Sequence, residues 1–124
     1  MALSIPQGYQ QVMPYLILKD PERFIDFTTK VFGATEKMRQ MKGDEIGHAE
    51  ILIGENCIMF GKSNQEWGLM PAGLFIYVED ADATYQKALD AGAETVMELS
   101  DQSYGRTCGV KDPEGNTWWI TSVK

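Results

Sequence analysis

The sequence predicts an α+β fold made of two βαβββ modules, and three observations carry that prediction. At 124 residues the chain matches one domain of about 100 to 200 residues. A strand ending in aspartate occurs twice, as Leu16-Ile17-Leu18-Lys19-Asp20 and as Ile76-Tyr77-Val78-Glu79-Asp80, 60 residues apart. A turn entering a strand recurs at the same interval. Gly54-Glu55-Asn56 leads into Cys57-Ile58-Met59-Phe60, and Glu114-Gly115-Asn116 leads into Thr117-Trp118-Trp119-Ile120.

Each element follows in order. After the first strand, Pro21 suits a first helical position, Phe24, Phe27 and Val31 repeat at helical spacing, and Gly33 stops the helix. Lys42-Gly43-Asp44-Glu45 reads as a hairpin turn between the second and third strands. His48-Ala49-Glu50-Ile51-Leu52-Ile53 supplies the third strand, and the run beginning at Cys57 supplies the fourth. Residues 62–72 mix Gly, Pro, Ser and Asn around Trp67, the composition of a surface linker. In the second half, Tyr85, Ala88 and Leu89 give the helix its apolar face and Gly92-Ala93 ends it. Ser100-Asp101-Gln102-Ser103 reads as loop. The modules are placed at about residues 10–61 and 73–122, in one domain spanning residues 1–124.

Composition narrows the function classes. Apolar residues make up 44% and charged residues 23%, the balance of a folded globular chain. With 11 Lys plus Arg against 18 Asp plus Glu the net charge is -7, a field that repels phosphate backbones and anionic lipid. Neither nucleic acid nor membrane is expected as a partner. No apolar run approaches the roughly 20 residues of a membrane span, and residues 1–8 lack the pattern of a signal peptide, so a cytoplasmic location is expected. Cys57 and Cys108 form no C-x-x-C pair and read as reduced structural thiols. Phosphate loops, serine elbows and zinc spacings are missing.

Strand parity divides the third strand. Ala49, Ile51 and Ile53 form an apolar row suited to packing under a helix, which turns His48, Glu50 and Leu52 to the other face. Carrying the 60-residue interval forward makes Cys108 and Val110 the counterparts of His48 and Glu50, with Arg106 sharing their parity. The same face is extended to Met13, Tyr15, Met59, Phe75, Tyr77 and Trp119, giving an aromatic and methionine-rich concavity. Pro14 removes a ladder hydrogen bond from the first strand, which should be an edge, bulged, or the departure point of an N-terminal arm.

These residues resemble the glyoxalase, bleomycin-resistance and extradiol-dioxygenase superfamily, the vicinal oxygen chelate proteins. The carriers are Tyr15-Leu16-Ile17-Leu18-Lys19-Asp20, Val31-Phe32-Gly33-Ala34-Thr35-Glu36, His48-Ala49-Glu50, Tyr77-Val78-Glu79-Asp80 and Lys111-Asp112-Pro113-Glu114-Gly115-Asn116-Thr117-Trp118. The resemblance implies two modules forming a curved, cup-like mixed sheet with helices on its outer face, and commonly a homodimer. It places metal ligands at Met13, Gly73, Met59 and Trp119. None is a hard oxygen or imidazole donor, so no metal and no cofactor is expected.

His48 and Glu50, two apart on one strand, bring their side chains within about 6 to 7 Å of each other. They suit acid–base chemistry in an enzyme, or equally a satisfied polar pair at a sheet edge. Arg106 is either a clamp for a carboxylate or a solvated arginine. The expected function is small-molecule binding: a small aromatic or cationic organic ligand held by Met13, Tyr15, His48, Glu50, Met59, Phe75, Tyr77, Arg106 and Trp119. This resembles the branch of the superfamily that sequesters antibiotics. The alternative is a lyase or isomerase using Glu50 and His48.

Overall fold

The computed structural model describes residues 2–123. Ten elements succeed one another: β1 (Tyr15–Leu18), α1 (Pro21–Phe32), β2 (Thr35–Lys42), β3 (Glu45–Ile53), β4 (Asn56–Lys62), β5 (Gly73–Tyr77), α2 (Ala81–Asp90), β6 (Glu94–Gln102), β7 (Gly105–Lys111) and β8 (Thr117–Ser122). The two βαβββ modules predicted from the repeat are both present. They build two four-stranded mixed sheets, ordered β1-β4-β3-β2 and β5-β8-β7-β6, and no closed barrel forms among the described residues.

The helix boundaries follow from local chemistry. Asp20 caps α1 by accepting the Arg23 amide at 3.2 Å, and Pro21 stands where its missing N–H is not needed. Gly33 ends the helix at φ +68°, its N–H on the carbonyls of Thr28 and Thr29. Asp80 repeats the cap on α2 through the Ala83 amide at 3.2 Å. Gly43, at φ +67°, makes the predicted β2–β3 hairpin possible. One expectation is corrected: Ser100 to Gln102 is strand, because β6 pairs with β7 through Ser100↔Thr107 and Gln102↔Gly105, across an irregular register after Met97.

A single apolar core joins the modules. Phe24, Phe27 and Val31 on α1 meet Leu16, Leu18, Ile51 and Phe60 of the first sheet and Val110, Trp118 and Ile120 of the second. Burial of each large side chain contributes about 1.5 to 3 kcal/mol. Phe24 lies edge-on to Phe60 at 4.8 Å and stacked on Trp118 at 6.4 Å, while Phe32 reaches Trp118 at 4.5 Å. A polar latch closes the same seam. Glu114, on the β7–β8 loop, accepts the Asp20 amide at 2.6 Å and holds the Arg23 guanidinium at 2.8 and 2.6 Å.

β1 is an edge strand, and Pro14 lies just before it, still accepting from the Met59 amide at 3.0 Å. The outer edge of β1 is partly covered by the linker, where Ile17 and Met70 exchange backbone hydrogen bonds at 3.1 and 2.8 Å. No helix is long and apolar enough to cross a membrane, among the described residues.

Candidate functional site

On the first sheet, register fixes which side chains meet. Tyr15 pairs with Met59 and Met59 with Glu50, so these three form a row across β1, β4 and β3. Ala49 and Ile51 are fully buried in the core, so His48 and Glu50 project from the opposite face. They do meet: His48 Nε2 lies 2.8 Å from Glu50 Oε2. The carboxylate accepts, so Nε2 donates to it, and Nδ1 on the far side of the ring lies 3.1 Å from the Tyr15 hydroxyl. The Tyr15 ring lies 5.6 Å from the imidazole and passes over Gly61, where a β-carbon would stand 3.3 Å from its hydroxyl.

The remaining oxygen of Glu50 has a partner that sequence reasoning missed. Residues 6–9 turn with the Tyr9 amide on the Pro6 carbonyl at 3.2 Å, and Gly8 sits at φ +87°, the left-handed position such a turn reserves for glycine. The turn carries Tyr9 over the sheet, where its hydroxyl donates to Glu50 Oε1 at 2.6 Å. Gln10 next to it mimics a strand, donating to the Cys57 carbonyl at 2.8 Å and accepting the Cys57 amide at 3.2 Å. Lys37 of β2 stands 4.1 Å from the centre of the Tyr9 ring. The only sequence signal for this was the Pro6-Gln7-Gly8 turn composition.

Electrostatics follow from that packing. Glu50 is 3% exposed; burial alone would push its carboxyl up, but the hydrogen bonds from His48 and Tyr9 outweigh burial and hold it below the usual carboxylate range. Lys37 is pushed up, chiefly by Tyr9 and further by Glu50. Beside this group, Met13, Met59 and Tyr9 line an open apolar cavity of about 330 Å³ together with Leu3, Ile5 and Pro6 of the N-terminal segment.

Phe75, Tyr77 and Trp119 lie on the second sheet, paired in register as Phe75↔Trp119 and Tyr77↔Thr121. Phe75 and Tyr77 meet edge-on at 5.2 Å, and Tyr104 from the β6–β7 turn comes within 6.2 Å of Phe75. All three are at least half exposed. Trp119 covers Gly109. Among the described residues, no hydrogen bond or ring contact links this aromatic group to Tyr15, His48 or Glu50.

The parity of β7 is corrected. Met59 and Trp119 are 60 residues apart, yet their partners Glu50 and Gly109 are 59 apart. The chain between Leu52 and Cys57 spans residues 53–56, and that between Lys111 and Thr117 spans residues 112–116, one residue more. One residue flips the face. Cys108 and Val110 therefore lie in the core, and Arg106 turns toward α2, its guanidinium on Asp82 at 2.7 Å. The exposed pair keeps Arg106 charged and Asp82 below its ordinary range through their mutual hydrogen bond.

The positions at which the resemblance places a metal do not fit one: Met13 and Met59 are thioethers, Trp119 an indole, and Gly73 has no side chain. No group of three or more His, Cys, Asp or Glu converges among the described residues. Cys57 and Cys108 are both fully buried, and burial pushes their thiols up, Cys108 to about 11.

Comparisons with known proteins bear on this geometry. Residues 8–120 match the family model described as Glyoxalase/Bleomycin resistance protein/Dioxygenase superfamily. An uncharacterized protein of Mycobacterium bovis is 36% identical over 131 aligned positions, covering 95% of this chain and 84% of the relative. Among solved structures, TioX from Micromonospora sp. ML1 superposes with a TM-score of 0.77 at 26% identity, covering 93% of this chain and 99% of TioX. TnmS3, described as an antibiotic binding protein from Streptomyces sp. CB03234, superposes with a TM-score of 0.74 at 17% identity over 100% of this chain and 99% of its own.

Proposed function

Because the chain belongs to the Glyoxalase/Bleomycin resistance protein/Dioxygenase superfamily, we propose that it binds a small aromatic or cationic organic molecule on the face of its first module. The observation that carries this reading is the buried, charged Glu50 set beside an apolar cavity of about 330 Å³ walled by Met13 and Met59. A buried carboxylate favours a donor or cation, and thioethers adapt to a planar ring. The description of TnmS3 as antibiotic binding and the net charge of -7 here support the same class of ligand. The half-exposed Phe75, Tyr77 and Tyr104 support a homodimer, in which a second copy covers or completes that aromatic face.

A native mass spectrum of the purified protein, followed by the denatured spectrum of the same sample, tests this. The expected result is a dimer without metal, carrying an organic adduct that denaturation releases. A stoichiometric divalent metal, or a monomer that takes up no aromatic cation from a screened set, overturns it.

A second reading is acid–base catalysis as a lyase or isomerase, favoured by the connected Tyr15, His48 and Glu50 side chains. In it His48 orients and shuttles the proton and Glu50 keeps the imidazole in one tautomer. Loss of turnover on a carbonyl substrate in both His48→Ala and Glu50→Gln would place this reading first.

A further inference from the structure

The group that completes the first-module site is supplied by the chain's own N-terminal segment, and it is a phenol. Tyr9 sets its hydroxyl on Glu50 Oε1 at 2.6 Å, its ring under the Lys37 ammonium at 4.1 Å, and its flank along the cavity of Met13 and Met59. Every feature that would recognise a free hydroxyaryl ring is thereby already engaged: an acceptor for the hydroxyl, a cation for the π-face and thioethers for the edge.

The segment that carries Tyr9 is lightly held. Residues 2–8 are exposed, with Leu3 at 67% and Ile5 at 40%, and only Tyr9 and Gln10 are half-buried before Met13. Among the described residues its polar attachments to the sheet are the Tyr9 bond to Glu50, the Lys37 ammonium over Tyr9 and the two Gln10 bonds to the Cys57 backbone. Glu50, by contrast, belongs to a long central strand flanked by β2 and β4. A strong acceptor on a rigid strand, covered by a weakly attached aromatic side chain, has the form of a site with a tethered occupant.

We infer that the first-module face is a binding site for hydroxyaryl compounds and that Tyr9 is a displaceable internal ligand competing for it. This rests on the small-molecule reading above and names the chemistry of its ligand. A flexible tether presents its group at an effective concentration on the order of millimolar, which an external phenol must exceed or match in affinity. Binding of such a ligand exchanges one hydrogen bond to Glu50 for another and frees the segment ahead of Met13.

The probe is 4-methylphenol, the tyrosine side chain without its backbone. Titration calorimetry against the wild-type chain and Tyr9→Ala should give a dissociation constant at least about tenfold lower for the variant, since the tethered competitor is gone. Tyr9→Phe keeps the ring but not the donor and should fall between them. In Tyr9→Ala, toluene should bind more weakly than 4-methylphenol, and adding Glu50→Gln should erase that preference. Amide spectra of the wild-type protein should show Tyr9 and Gln10 moving to free-chain positions as 4-methylphenol is added. Equal constants for wild type and Tyr9→Ala overturn the inference and leave small-molecule binding standing. No binding to either protein also overturns it, while the mass spectrum above judges the broader reading independently.

Discussion

Replacing Gly109 by alanine tests the register of the second sheet and the placement of Trp119 on it. Gly109 faces Trp119 directly across β7 and β8, and the indole lies over the glycine. An added β-carbon would stand 2.7 Å from Cε3 of Trp119 and closer still to Cζ3, whereas ordinary contact begins at 3.4 Å. To restore ordinary contact the ring must retreat by about 1 Å, and the Met97 β-carbon already stands 3.4 Å from the new atom. Gly109 is not among the left-handed glycines, so alanine strains nothing in the backbone, and the cost comes from the ring alone. Overpacking of this kind costs about 1 to 3 kcal/mol. With unfolding entropy of about 2.1 cal/mol/K per residue over 124 residues, Tm should fall by about 4 to 12 °C in a thermal melt. Gly68→Ala, where nothing lies within 4 Å, is the control and should stay within about 0.5 kcal/mol. The cycle with Trp119→Ala decides the cause: without the indole, Gly109→Ala should be near neutral, a coupling of about 1 to 3 kcal/mol. A Gly109→Ala protein as stable as wild type, or one equally destabilised with and without Trp119, would refute the reasoning.

Three further outcomes follow from the same contacts. Glu114→Ala removes the latch between the modules, and since the Glu114 side chain is 1% exposed it should cost about 1 to 3 kcal/mol in urea unfolding; a change below about 0.5 would show that the apolar seam alone joins them. Glu50 contributes stability that is fully present above its ordinary value near 4.5 and is lost as pH falls through its lower folded value, so on acidification from neutral pH to below 4.5 the wild type should lose stability more steeply than Glu50→Gln, and parallel melting curves would contradict this. Both thiols should resist a disulfide-exchange reagent in the native state and react only on unfolding; prompt labelling of either would contradict the burial of Cys57 and Cys108.

Much of the architecture was legible in the sequence because it rests on local signals. Pro21 marks the start of the first helix, Gly33 and Gly92 mark where the two helices end, and alternation in residues 48–53 separates core from face, all from near neighbours alone. The meeting of His48 with Glu50 was also within reach, since two residues apart on a strand share a face. The parity of β7 was not, because one extra residue in the loop after Lys111 shifts the interval from 60 to 59, and a repeat read as constant cannot reveal where it slips. Arg106 therefore belongs to Asp82 rather than to the face it was expected to share.

By itself the sequence determined the two βαβββ modules, the places where their helices stop and the family, since these depend on spacing and local propensity. Only the tertiary structure decided what surrounds Glu50. Tyr9 is 41 residues away in the chain, and no periodicity links the two. Their contact exists because the turn at Gly8 folds an otherwise exposed segment over a sheet whose register was already set by the core. Tertiary packing likewise set which rings touch, Tyr15 with His48 on the first sheet and Phe75 with Tyr77 and Tyr104 on the second, because strand parity sorts residues by face and says nothing of their contacts.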